Sequence, residues 1–401
     1  MEMKTKVGVL FGGRSVENEI SVITALQVIQ SMDLEKYEVV PVYIAKNGRW
    51  YSGDALLEVT NYRNMDELLQ KCTKVYMKPV YGDCNLYVSE PGLFGKKVVS
   101  QLDVVLPALH GTNCEDGTLQ GVLAATGVPF VGCNVLASAN GMDKITMKMI
   151  LRECGIPTVD YCWFCDKKWY EDKDAVIADV EKKLEYPVIV KPANSGSSVG
   201  IHTAHDRAEL EDAVNDACSF TTRIIIERYV KQLKEVNCSV MGNYHDCIPS
   251  VCEVPMRSGE ILSYTDKYCS SGTKNSEGMR SVVREIPAVL PEGVTERIQQ
   301  MAVDTFRALS CDGLSRIDFM IDEADGSVYV NEINTIPGSL SSYLWEYTGM
   351  TFQNVIDNLI GQAFARKREE GLKVTDFGGN IFSVMKGAKG GKIGKFGKFA
   401  K

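Results

Sequence analysis

No stretch of the 401-residue chain approaches the roughly 18 consecutive apolar residues that a membrane-spanning helix requires, so no candidate span exists. The opening run, M-E-M-K-T-K-V-G-V-L-F-G-G, is a short charged lead into a strand and lacks the order of a signal peptide. Histidine is scarce, and His110, His202, His205 and His245 show no metal-ligand spacing. Thirteen cysteines without a secretion signal are expected to be reduced thiols in a cytoplasm. Cys162-Trp163-Phe164-Cys165 has no second pair and no neighbouring histidine. In an extended strand its sulfurs face opposite ways, so it reads as core and not as a zinc or redox site. The first strand–turn–helix lacks G-x-G-x-x-G, and no Walker loop occurs.

With 45% hydrophobic and 24% charged residues, the chain has the composition of a globular protein too long for one ordinary core, and two or three domains are expected. Its formal charge is −8. Lys386, Lys389, Lys392, Lys395, Lys398 and Lys401 fall in a final stretch without acids, so the remainder carries −14. An acidic body argues against nucleic acid as a partner. The terminal lysines recur every third residue among glycines, a spacing that holds no helix face. Residues 369–401 are expected to be a disordered tail.

Lys6 to Phe11 reads as a buried parallel-type strand, followed by Gly12-Gly13-Arg14-Ser15, a helix from about Glu17 and a strand at Tyr37–Ala45. This Rossmann-like opening sets Glu17 at a helix start on the carboxyl edge of a sheet, where open α/β folds bind ligands. Residues 52–100 are polar and show no clear period. Val104–Leu109 is a strand ending in His110-Gly111, and Val128–Gly132 is a shorter one. Lys144 lies in a helix stopped by Gly155 and Pro157, and Lys167–Leu184 is a charged helix.

Strand Tyr186–Lys191 leads into P-A-N-S-G-S-S-V-G, whose backbone N–H groups can wrap phosphate beside Lys191; a plain Gly/Ser hairpin loop is the alternative. Arg223–Val230 carries Glu227, and Glu235 starts another strand. A carboxylate at the rim of an apolar slot suits a purine nucleoside. Residues 263–286 are polar, glycine-containing and aperiodic, the profile of an active-site lid. Val294–Leu309 and Asn354–Arg366 read as helices.

The stretch Ser315–Gly338, S-R-I-D-F-M-I-D-E-A-D-G-S-V-Y-V-N-E-I-N-T-I-P-G, carries the densest chemistry. Asp325-Gly326 is a hairpin turn signal. Centred on Asp325, the hairpin sets Asp318 opposite Glu332 and Arg316 opposite Asn334 on one face, with Ile317, Phe319 and Ile333 on the other. Two carboxylates and an amide oxygen form an oxygen-only site suited to Mg²⁺ held with substrate phosphates, and the arginine can stabilise developing charge. A solvated face of cross-strand charge pairs is the plainer alternative.

Five motifs then occur in order: G-G-R-S-V-E-N-E-I-S, H-G-x-x-x-E-D-G-T-L-Q-G, M-D-K, V-K-P-A-N-S-G-S-S-V-G and R-I-D-F…N-E-I-N-T-I-P-G. Through them the stretch from about Lys6 to Ala365 resembles the ATP-grasp superfamily and, within it, the D-alanine–D-alanine ligase family. The resemblance implies a multidomain fold of α/β and α+β class. An N-terminal Rossmann-like (preATP-grasp) α/β domain would span residues 1–137. An ATP-grasp fold would follow, with a central lobe over 138–230 and a C-terminal lobe over 231–368. The resemblance also implies ATP-dependent ligation of two D-alanines through an acyl-phosphate, for peptidoglycan and cell-wall synthesis. ATP, two Mg²⁺ (or Mn²⁺) ions and a cytoplasmic homodimer come with it.

Residue by residue, the resemblance implies that Lys144 and Lys191 contact phosphate, with Ser197 and Ser198 in the glycine-rich loop. Glu227 and Glu235 match acceptors for adenine and ribose, and Asp318, Glu332 and Asn334 match metal ligands. Glu17 matches the acid that holds the first D-alanine's ammonium, with His110 in the same cleft. Ser197 and Tyr268 match the pair linking loop and lid to Glu17. Lys267 matches a lid lysine near phosphate and the second substrate, and Arg316 with the Gly338 N–H matches the stabilisers of the tetrahedral intermediate.

Two departures touch the second substrate. Ser339-Leu340 follow Gly338 at once, where the family has a longer segment ending in a Ser-Leu pair that receives the substrate carboxylate. The stretch from Tyr268 to Pro287 is also longer than usual and contains Arg280 and Arg284. A ligase adding a different second amino acid, such as D-serine, stays open, as does a non-catalytic nucleotide-binding module.

Overall fold

Val7, Val9, Leu10 and Phe11 are fully buried in strand β1 (Thr5–Gly12) of a computed structural model, which describes residues 3–91, 95, 97–196, 199–255 and 284–375. Successive apolar residues mark a strand covered on both faces. Accordingly, β1 pairs in parallel with β2 (Tyr37–Ile44) and β7 (Val104–Pro107). β3 (Trp50–Ser52), β4 (Thr73–Met77), β5 (Asn85–Val88) and β6 (Val98–Gln101) extend this sheet antiparallel, in the order β6-β5-β4-β3-β2-β1-β7. Each of these four has only three to five residues, too few to show a period in the sequence. Val128–Gly132 is not a strand and meets the sheet through one bridge, between Val105 and Phe130.

A second sheet combines β8 (Tyr161–Cys165), β9 (Val188–Pro192), β10 (His202–Ala204) and β11 (Arg223–Arg228) in the order β10-β9-β11-β8. Ile224 and Ile226 face helices Lys173–Lys183 and Arg207–Ala217 in one core, while Ile225 packs with Ile145 and Ala193 on the opposite face. The expected helix Lys167–Leu184 is two helices, because Asp172 breaks the run and caps the second through Ala175 N–H. Cys162 is buried and Cys165 exposed, as the alternation predicts.

The third sheet holds β12 (Leu233–Gly242), β13 (Cys247–Pro255), β14 (Arg284–Glu285), β15 (Gly313–Asp322) and β16 (Ser327–Asn334), in the order β14-β13-β12-β15-β16. Helix Val294–Ala308 covers it through Ile298, Ala302 and Phe306. The terminal helix Phe352–Gly371 starts at a Thr351/Asn354 capping box. Its Val355, Ile356, Leu359 and Ile360 join Val7, Val104 and Leu106 in the core of the first sheet, although the chain order places this helix with the last lobe. Helix Val135–Met142 runs across the boundary expected at 137/138. Among the described residues, no helix is long and apolar enough to cross a membrane.

Candidate active site

Period-two alternation brings Arg316 opposite Asn334 and Asp318 opposite Glu332. Towards the turn the register changes, and Phe319 pairs with Val330 and Asp322 with Ser327. The turn is therefore not centred on Asp325. Asn331 is an extra residue in β16, a bulge that restores the predicted opposition. The bulge also turns Asn331 into the cleft beside Glu332, where its amide oxygen accepts from Lys191 Nζ at 3.3 Å. Arg316 holds Asp318 through Nε at 2.7 Å and Nη2 at 2.9 Å, and Asn334 Nδ2 donates to the same carboxylate at 3.0 Å.

Lys144 opens helix Lys144–Glu153. Asp143 caps that helix by accepting from Thr146 N–H at 2.8 Å and lies 3.0 Å from Arg223 Nε of β11. These contacts fix the helix start at the cleft. An ammonium there opposes the helix dipole, so it needs acceptors of its own. Lys144 Nζ donates to the Ser195 carbonyl at 2.9 Å and lies 3.3 Å from Glu332 Oε2. One turn on, Lys148 Nζ lies 3.0 Å from Glu227 Oε1, and Lys191 Nζ lies 2.6 Å from Oε2.

Glu227 is thus not the open acceptor at a slot's rim that its sequence position suggests. It is 1% exposed, with a lysine on each oxygen. Lys191 pairs with Ile225, and Glu227 lies two residues along on the same face, which brings the two side chains together. Burial opposes ionisation of Glu227, but Lys148 and Lys191 outweigh it and hold its pKa at about 2. Glu235 lines the same cleft, alongside Ile189, Val230, Leu233 and Met320.

At the other end, Glu17 is 6% exposed at the head of helix Asn18–Ser31. Gly111 and Gly196 both approach its carboxylate. A Cβ on Gly111 (φ +81) would collide with the Ser15 hydroxyl and Glu17, and one on Gly196 would sit 3.1 Å from Glu17 Oε2. The glycine-rich loop and the His-Gly turn therefore meet at Glu17. His110 Nε2 lies 2.8 Å from Thr24 Oγ1, and burial pushes the ring's pKa down to about 4, so it is neutral.

Glu115, the first acid of the H-G-x-x-x-E-D-G motif, lines the cleft as well, in a role that the motif alone does not assign. Its two oxygens accept from Gly111 N–H at 2.8 Å and Ile336 N–H at 3.0 Å. Burial, with the Glu17 charge second, raises its pKa to about 8.

Gly338 lines the cleft, whereas Ser339 and Leu340 are not among its lining residues. Residues 339 to 341 take φ values of 51, 48 and 46, a left-handed run that rotates both side chains away. The Ser339 hydroxyl donates to Gln27 Oε1, and Leu340 is buried in the core of the first sheet. Tyr343 reaches the cleft instead. Ser197, Ser198, Lys267, Tyr268, Arg280 and the terminal lysines lie outside the described residues, as does all of the expected lid before Arg284. Among the described residues, no three His, Cys, Asp or Glu side chains cluster as a metal site. The oxygen set on the hairpin is two carboxylates and an amide.

One cleft of about 400 Å³ gathers residues of the second and third sheets and of the segments that follow β1 and β7. Two family models match the chain: D-ala D-ala ligase N-terminus over residues 6–133 and D-ala D-ala ligase C-terminus over residues 150–361. The chain belongs to the D-alanine–D-alanine ligase family. A D-alanine–D-alanine ligase from Thermosipho melanesiensis is 38% identical over 381 residues, covering 95% of this chain and 99% of that protein. The VanG D-Ala:D-Ser ligase of Enterococcus faecalis superposes with a TM-score of 0.76 at 29% identity, over 90% of this chain and 100% of that one. The Bacillus anthracis D-alanine–D-alanine ligase complexed with ATP gives 0.65 at 26% identity, over 92% and 100%. In this ligase family's ATP-grasp frame, the second and third sheets line one cleft, and the segments after β1 and β7 bring Glu17, His110 and Glu115 to it.

Proposed function

We propose that this ligase joins two D-alanines to D-alanyl-D-alanine, with ATP as the phosphoryl donor and an acyl-phosphate as intermediate. The observation that carries the reading is the convergence of Lys144, Lys191, Asp318, Glu332, Asn334, Arg316 and Glu17 on one cleft. Asp318, Glu332 and Asn334 offer only oxygen donors on adjoining strands, a set that fits Mg²⁺ or Mn²⁺, two ions by the family resemblance. Held there, the cations supply charge neutralisation of the ATP phosphates.

Glu17 binds the first D-alanine's ammonium and so orients its carboxylate towards the γ-phosphorus. That carboxylate attacks, ADP leaves, and Lys144 and Lys191 offset the charge of the transferring group. Glu227 holds Lys191 in place and is not a partner of adenine in this reading, whereas Glu235 beside the apolar wall receives the ribose. The neutral amine of the second amino acid then attacks the acyl carbon. Arg316 and the Gly338 N–H receive the oxyanion, phosphate leaves, and the amine's proton passes to solvent. Neutral His110 borders the first substrate. Ser197, Ser198, Lys267 and Tyr268 enter through the family resemblance, as do a homodimer, a cytoplasmic setting and a place in peptidoglycan synthesis.

Phosphate release with ATP, Mg²⁺ and a panel of D-amino acids that includes D-serine, with product masses, tests the reading. The expected result is release with D-alanine alone and the mass of the dipeptide. Silence with D-alanine beside release with another pair would overturn the substrate assignment.

A further inference from the structure

Among the described residues of the cleft, Arg284 is a buried cation to which the ligation reading gives no task. Arg284 sits in β14 opposite Pro255 of β13, with its side chain only 10% exposed. Its Nη1 lies 3.3 Å from Glu253 Oε2, and its guanidinium carbon lies 4.1 Å from the centre of the Tyr343 ring. The other Glu253 oxygen accepts from Tyr343 Oη at 2.8 Å and Asn237 Nδ2 at 3.0 Å. Glu253 is thereby engaged on both oxygens, and Arg284 is clamped between a carboxylate and a ring. Among the described residues, its Nε has no hydrogen-bond partner.

Arg316 carries a second guanidinium. That guanidinium, in the same cleft, commits both Nε and Nη2 to Asp318. Its Nη1 and the second Nη2 hydrogen remain for a developing oxyanion, the task the ligation reading gives it. Arg284 is bound through Nη1 and keeps its Nε–Nη2 edge unused by Glu253. Ser339 and Leu340, meanwhile, are turned into the first sheet's core. β14 brings a guanidinium to the same cleft.

We propose that Arg284 receives the carboxylate of the second amino acid and sets the requirement for it, with Glu253 and Tyr343 as positioning residues that fix its fork. The inference rests on the ligation reading. An acceptor that attacks through its amine has to be held by its other end, and a planar guanidinium holds a carboxylate in a defined plane. An acceptor without that carboxylate leaves the buried fork unmet, which is a strong basis for rejection.

Steady-state kinetics on the full chain test this with D-alanine and with D-alaninamide, which lacks the carboxylate, as acceptors. Arg284→Met should raise KM for the second D-alanine by roughly two orders of magnitude, as loss of one member of a buried charge pair does. KM for ATP and for the first D-alanine should stay near wild type. The preference for D-alanine over D-alaninamide should fall by a similar factor. Arg284→Lys keeps the charge without the fork, and should show the same collapse of preference if the Met variant does not fold. Tyr343→Phe should show a smaller shift in the same direction. A preference preserved in the Arg284 variants, whatever happens to kcat, would reduce Arg284 to a structural residue and overturn the inference. A wild type inactive with D-alanine would overturn the ligation reading and this inference together.

Discussion

Lys148, one turn beyond the lysine that opens its helix, forms a buried ion pair with Glu227 of β11 at 3.0 Å. Glu227 also holds Lys191, so two ammoniums share one carboxylate. Glu227→Gln removes the carboxylate that both buried lysines share, and a loss of about 3–5 kcal/mol in stability is expected, read from denaturant unfolding. Lys148→Met leaves Glu227 to Lys191 alone and lowers the local charge from +1 to zero. Its expected effect is a higher KM for ATP at unchanged KM for D-alanine. Unaltered ATP affinity would refute the electrostatic role.

Glu332 couples the hairpin to Lys144 at 3.3 Å and is partly exposed. Glu332→Ala should abolish turnover while circular dichroism and melting stay close to wild type, because no core contact is removed. Near-normal turnover would refute its place in the oxygen set.

Gly111 lies against the Ser15 hydroxyl and the Glu17 carboxylate in a left-handed conformation. Gly111→Ala should displace Glu17 and raise KM for the first D-alanine more than KM for the second. A stability cost of about 1–3 kcal/mol accompanies the strained backbone. Equal effects on both amino acids would argue against Glu17 as the first-substrate residue.

Glu115 and His110 give opposite pH slopes. Glu115 has its pKa raised to about 8 by burial and by Glu17, so the folded state keeps a proton that the unfolded chain loses near 4.5. Its contribution to stability is complete below about 4.5 and is lost as pH rises through about 8. His110 has its pKa lowered to about 4, chiefly by burial, from 6.5. Its contribution is present above 6.5 and is lost as pH falls towards 4. Glu115→Gln should remove the alkaline slope of the melting midpoint. It should also cost about 1–3 kcal/mol by setting an amide N–H against the Gly111 or Ile336 N–H. A variant that retains the wild-type slope would exclude Glu115 as its source.

The local chemistry of this protein was legible in its sequence. Alternation along Arg316–Phe319 and Glu332–Asn334, with the Asp325-Gly326 turn, specified one polar and one apolar face of a hairpin, because strand period and turn preference are properties of adjacent residues. The buried run at Val7–Phe11 and the helix starting beside Glu17 were readable for the same reason. Even there, the assumed turn centre was off, and the bulge at Asn331, which no residue type announces, restored the pairing.

What only the tertiary structure decided is which faces meet. Lys148 lies on Lys144's face by helical period, but only the packing of that helix on β11 turns it onto Glu227. Ser339 and Leu340 follow the site's last glycine in sequence, yet the left-handed turn buries them against the first sheet and leaves Arg284, Glu253 and Tyr343 at the cleft. Helix Phe352–Gly371 likewise packs into the core of the first sheet, which is built from the other end of the sequence. The physical reason is common to all three. Periods and turns are set by neighbouring residues, whereas the choice of partner face is set by apolar burial and charge compensation over the whole chain.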